Sequence, residues 1–177
     1  MKKFIACLLV GLFALAFAAC DNDNPPATTT ENKPTQSTPG TAQDIYFAPK
    51  GVRLEIGMLP EGPLEALGEP KSTLECPSCA IPNAMDTDYN YPGFKLTVTQ
   101  PEDGSPYIAA IQLIDDTYTI PGGVTIGSTL EEITAAYGTD YREDNGHYYY
   151  TQGLSVLHFA TENGKVSQIL YEYDLDH

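Results

Sequence analysis

Basic residues are scarce in this 177-residue sequence: nine Lys and Arg stand against 24 Asp and Glu, a formal net charge of −15. Such a surface repels phosphate backbones and anionic headgroups, which argues against nucleic acid or a bare membrane surface as partner and favours cationic, neutral or calcium-bearing ones. Catalytic signatures are lacking too. There is no G-x-S-x-G, and His147 and His158 have no local Ser or Cys partner in a strand-turn-helix context, so they read as half-buried strand residues. No glycine-rich loop opens a helix as a phosphate cradle does; Gly122-Gly123 belongs to a turn. The expectation is a protein that is not an enzyme, with no catalytic residue, no cofactor and no metal site.

Long apolar runs are also missing. The one from Phe4 to Phe17 falls short of the roughly 20 residues of a spanning helix. It follows Lys2 and Lys3 and precedes Asp21, Asn22 and Asp23, the layout of a cleaved secretory signal rather than a membrane anchor. Ala18 and Ala19 directly before Cys20 resemble the lipobox of bacterial lipoproteins, with Phe17 where Leu, Val or Ile is usual. The resemblance implies cleavage after residue 19 and a Cys20 that carries two or three acyl chains, enough for stable anchoring on the extracytoplasmic face of the cell membrane.

Four cysteines are present, and two of them are accounted for by this reading: Cys7 leaves with the signal and Cys20 is acylated. Cys76 and Cys79 remain, and an exported pair is most simply a disulfide. Residues 20–43 hold Asn, Pro, Thr, Ser and Gln without apolar periodicity, a composition that cannot bury enough surface to fold. They read as a tether with a reach of roughly 25–30 Å. Residues 44–177 are the size of one domain.

Within that domain the chain echoes itself. Pro49-Lys50-Gly51-Val52, Ile56-Gly57 and Leu67-Gly68 return as Pro121-Gly122-Gly123-Val124, Ile126-Gly127 and Tyr137-Gly138. Repeats over 44–115 and 116–177 follow. In the second, Ser128-Thr129-Leu130-Glu131 predicts a capping box and Leu130, Ile133 and Tyr137 a short helix. Tyr148 to Phe159 and Val166 to Tyr173 read as strands joined at Glu162-Asn163-Gly164. In the first, Glu61 to Leu67 is a helix weakened by Pro60, Gly62 and Pro63, followed by strands over Phe94 to Thr99 and Tyr107 to Ile114. The expected fold class is α+β: two tandem repeats of a short helical segment plus an antiparallel β-hairpin, forming a sheet with helices on one face.

Three motifs carry a resemblance across residues 44–177. They are Gly123-Val124-Thr125-Ile126-Gly127, the helix end Tyr137-Gly138, and the last strand from Asn163-Gly164-Lys165-Val166 to Ile169. The arrangement resembles the β-lactamase inhibitor protein and small envelope lipoproteins of the BamE type. That resemblance implies a sheet with one open face that docks on another protein.

Two constellations have competing readings. Cys76-Pro77-Ser78-Cys79 could exchange disulfides, although a redox C-x-x-C opens a helix and this one lies in a loop; zinc would need two further ligands that are not nearby. Asp86-x-Asp88-x-Asn90 starts like a calcium loop, then places Tyr91 where Gly belongs and Thr97 where a bidentate Glu belongs. Alternation points Phe94, Leu96, Ile111, Leu113, Ile169 and Tyr171 toward the helices and leaves Lys95, Thr97, Gln112, Ser155, Leu157, Phe159 and Leu170 for the other face. Tyrosine-rich sheet faces suit partner binding. Tyr148, Tyr149, Tyr150, Phe159 and Leu170 are therefore the candidate contact residues for another envelope or secreted protein. The expected function is a non-catalytic, protein-binding or inhibitor-like lipoprotein, with a thiol-disulfide redox lipoprotein working through Cys76 and Cys79 as the alternative.

Overall fold

A computed structural model describes residues 43–174. The expected leader, Cys20 and the tether up to residue 42 lie outside the described residues. The elements run α1 (Glu61–Leu67), β1 (Ser72–Pro77), β2 (Met85–Tyr91), β3 (Phe94–Gln100), β4 (Tyr107–Leu113), α2 (Leu130–Tyr137), β5 (Arg142–Asp144), β6 (His147–Gln152), β7 (Ser155–Glu162) and β8 (Lys165–Tyr173). All eight strands form one antiparallel sheet in the order β1-β2-β3-β4-β8-β7-β6-β5.

The α+β expectation of two helix-plus-hairpin repeats is therefore corrected: the fold is mainly β, with two short helices. The extra strands come from segments that read as polar loops. Met85–Tyr91 is a strand because its carboxylates find partners across the ladder. Asp86 Oδ1 and Asp88 Oδ1 each accept a bond of 2.6 Å, from the hydroxyls of Thr99 and Thr97. Ser72–Pro77 then adds outside it, exposed at every position and held by its pairing with β2.

Turn chemistry closes the meanders. Pro92-Gly93 joins β2 to β3 with Gly93 at φ 81°, as a type II turn requires. Asn145-Gly146 and Asn163-Gly164 both have positive φ, the mark of two-residue hairpin turns. The α2 capping box uses Thr129 and Glu132, one residue later than the sequence suggests. Thr129 Oγ1 accepts from Glu132 N at 3.3 Å, and the Glu132 carboxylate accepts from Thr129 N at 2.7 Å. Ser128 Oγ instead accepts from Thr125 N.

Both helices pack on one face of the sheet. Leu67 of α1 and Ile133 and Tyr137 of α2 join Phe47, Leu54, Phe94, Leu96, Ile111, Leu113, Ile169 and Tyr171 in the core. Each helix end is tied to the sheet by a tyrosine: Tyr91 donates to Gly68 O at 3.1 Å and Tyr150 to Gly138 O at 2.9 Å. These bonds satisfy carbonyls that a helix C-terminus otherwise leaves unpaired.

Leu157 and Phe159 also belong to this core and are fully buried, not on the opposite face. The reason is a bulge. From the turn, Thr161 pairs with Val166, but Ala160 pairs with Gln168, so Ser167 is an extra residue in β8. It shifts the register by one, setting Phe159 opposite Ile169 and Leu157 opposite Tyr171.

Candidate functional site

The face turned away from the helices carries two clusters. At the β5 to β7 end, four side chains from three adjacent strands form a ladder. The Arg142 guanidinium lies 3.8 Å above the Tyr149 ring, and that ring stacks on the His158 imidazole at 4.5 Å and 12°. His147 Nδ1 then approaches His158 Nε2 to 2.8 Å. The two histidines are diagonal neighbours, because His147 pairs with Ala160 and His158 with Tyr149. A bond between those nitrogens needs one hydrogen. The pair tolerates one added proton and is broken by a second.

Burial first, then the charges of His147 and Arg142, hold the His158 imidazole below its ordinary pKa of 6.5. A base whose folded pKa is depressed adds stability above its unfolded pKa, lost as pH falls through that value toward the folded one. The free energy of unfolding should therefore decline as pH drops below about 6.5, and the variant His158→Gln should show a shallower decline. Urea midpoints of both proteins at several pH values check this; identical slopes would refute it.

At the other end, β2, β3, β4 and β8 surround a cavity of about 190 Å³. Asp86, Thr97, Thr99, Tyr107, Ala110, Glu172 and Tyr173 line it, and Ser78, Ala80 and Ile81 of the β1–β2 loop reach its wall. Asp88 is occupied separately: Lys95 Nζ lies 3.1 Å from its Oδ2. The half-buried Glu172 carboxyl is pushed above its ordinary pKa by burial, with Arg142 acting weakly the other way. Tyr107 and Tyr173 sit 5.5 Å apart with their rings tilted by 53°. Glu172 and Tyr173 also border a shallower hollow that extends to Arg142 and Tyr149, so the two clusters share one groove.

The structure divides the contact residues expected from sequence. Tyr149 and Leu170 lie on the open face, Leu170 opposite both Gln112 and His158. Tyr148 points to the core side, half-buried and edge-on to Tyr141 at 5.3 Å. Tyr150 and Phe159 are core residues and are withdrawn as contact residues: Phe159 is inaccessible and Tyr150 is 5% exposed. Burial raises the Tyr150 phenol to about 12, so its hydroxyl stays a donor to Gly138.

Cys76 and Cys79, the expected disulfide pair, are both exposed, and no bond joins them in the structure. Cys76 lies within β1, one residue before its end, and Cys79 follows in a loop, so neither opens a helix. Asp86, Asp88 and Asn90 lie along a strand, which cannot wrap a calcium ion as a loop does. Among the described residues, no group of three or more His, Cys, Asp or Glu converges as a metal site.

Arg142, His147, His158, Tyr107, Tyr173 and Glu172 were not singled out from sequence as contact residues. Of these only His147 carries a signal in the sequence, recurring with Tyr149 and Thr151 at every second position of β6 as Asp86, Asp88 and Asn90 do in β2. No family model, curated protein or solved structure matches this chain.

Proposed function

We propose that this chain is a bacterial lipoprotein, exported, acylated at Cys20 and held at the cell envelope, whose folded part is a protein-binding module without a catalytic role. The observation that supports the reading is the ladder Arg142–Tyr149–His158–His147 on a sheet face the core does not use. Rings already fixed by stacking lose little freedom on contact with a partner, so their area converts efficiently into affinity. Tyr and Arg are also the side chains that dominate binding hot spots. Leu170 and Val156 supply half-buried apolar surface beside them.

A photo-crosslinking residue at exposed Thr151, in the full-length protein anchored in its own cells, tests the site. The double variant Tyr149→Ala, Leu170→Ala should reduce the crosslinked adduct about tenfold or more while leaving the unfolding midpoint within a few degrees. Thr73→Ala, on the far edge strand, should leave the adduct intact. An adduct that survives the double variant would show that partners use a different surface.

A further inference from the structure

We propose that the cavity between β2, β3, β4 and β8 receives a lysine side-chain ammonium of the bound partner. This rests on the reading of the open face as a protein-binding surface and names what that surface selects. Three properties of the cavity support it.

The first is an uncommitted carboxylate. Glu172 projects from β8 into the cavity, half-buried, and the two ion pairs among the described residues, Arg53–Glu55 and Lys95–Asp88, do not include it. Arg142 reaches it only through space. A half-buried carboxylate that forms no ion pair carries a desolvation cost that an incoming ammonium offsets.

The second is the shape of the walls. The Tyr107 and Tyr173 rings, 5.5 Å apart and inclined to each other, line the cavity, and aromatic walls suit both the methylene stem and the charge of a lysine side chain. Asp86 adds a second carboxylate whose orientation is fixed by Thr99 Oγ1 at 2.6 Å. Acceptors on separate strands suit the three divergent donors of an ammonium better than the planar fork of a guanidinium. At about 190 Å³ the cavity has room for a side chain.

The third is the field around it. Residues 43–174 contain six Lys and Arg against 20 Asp and Glu. A cationic partner is attracted from a distance before any contact forms.

The test uses the full-length protein in detergent and three probes: N-acetyl-lysine methylamide, its arginine analogue and the uncharged norleucine analogue, followed by amide chemical shifts. The lysine probe should shift Thr97, Tyr107 and Ala110 and saturate, and the norleucine probe should not. Glu172→Gln should weaken the lysine probe about tenfold or more, whereas Glu61→Gln, which removes an equal charge from α1, should not. If Glu172→Gln lowers the unfolding midpoint, Tyr107→Leu replaces it as the variant and should also weaken binding. Shifts spread over the whole acidic surface, equal losses in the Glu172 and Glu61 variants, or tighter binding of the arginine probe would each overturn the proposal. The probes act on the isolated protein, so their failure leaves the crosslinking result at Thr151 independent.

Discussion

Phe159→Ala should lower the free energy of unfolding by about 3–5 kcal/mol, a large part of the roughly 5–15 kcal/mol that holds a domain folded. Phe159 has no accessible surface and meets Tyr137 at 5.8 Å and Tyr150 at 6.0 Å, so truncation leaves a hole bordered by rings already pinned elsewhere. Tyr137 is bonded to Pro121 O at 2.6 Å and Tyr150 to Gly138 O at 2.9 Å, and neither can relax into the space without giving up that bond. Leu170→Ala is the control. It lies one position along the same pair of strands but on the open face, half-buried, and should cost about 1 kcal/mol or less. Chemical denaturation of the two variants measures the difference directly. Equal losses would mean that Phe159 and Leu170 share a face, and that the Ser167 bulge is absent.

That contrast also marks where the sequence stops being informative. Phe94, Leu96, Ile111 and Leu113 reveal their common face because the β3–β4 ladder is regular across them. Phe159 misleads because one extra residue, Ser167, resets the count in its partner strand. A bulge of that kind leaves no mark when the sequence is read by alternation. Strand β1 is illegible for a different reason: a strand exposed on both faces has no hydrophobic period to display. Strand β2 does alternate, with Asp86, Asp88 and Asn90 on one face, yet three acidic or amide residues at every second position suggest an ion loop as readily as a sheet. The histidines lie 11 residues apart in the chain, and only the β6–β7 register brings their nitrogens together. The acidic composition argues against phosphate-bearing partners and leaves cationic, neutral or calcium-bearing ones open. It could not indicate that the carboxylates Asp86 and Glu172, from strands far apart in sequence, border one cavity.

Gly122→Ala should be the most damaging single methyl addition on the core side. Pro121-Gly122 forms a tight turn closed by Gly123 N donating to Ile120 O at 3.0 Å, with Gly122 at φ 86°. An L side chain there costs about 1–2 kcal/mol from backbone strain alone. A Cβ at Gly122 would also lie 2.5 Å from Ala136 Cβ, forcing α2 away from the turn to which Tyr137 is bonded. Overpacking of this kind adds about 1–3 kcal/mol. Gly123 isolates the two terms: its φ is 81°, but a Cβ there meets nothing within 4 Å. Gly123→Ala should therefore show the backbone cost without the clash. Ala136→Gly removes the opposing methyl, at about 1 kcal/mol for a glycine inside a helix. In its background, Gly122→Ala should cost no more than Gly123→Ala does in the wild type. A double-mutant cycle that finds no coupling between positions 122 and 136 would show that α2 is not held against this turn. Because α2 packs on the core side, Gly122→Ala should destabilise the fold while, at temperatures where the protein stays folded, leaving lysine-probe binding and the Thr151 crosslink unchanged.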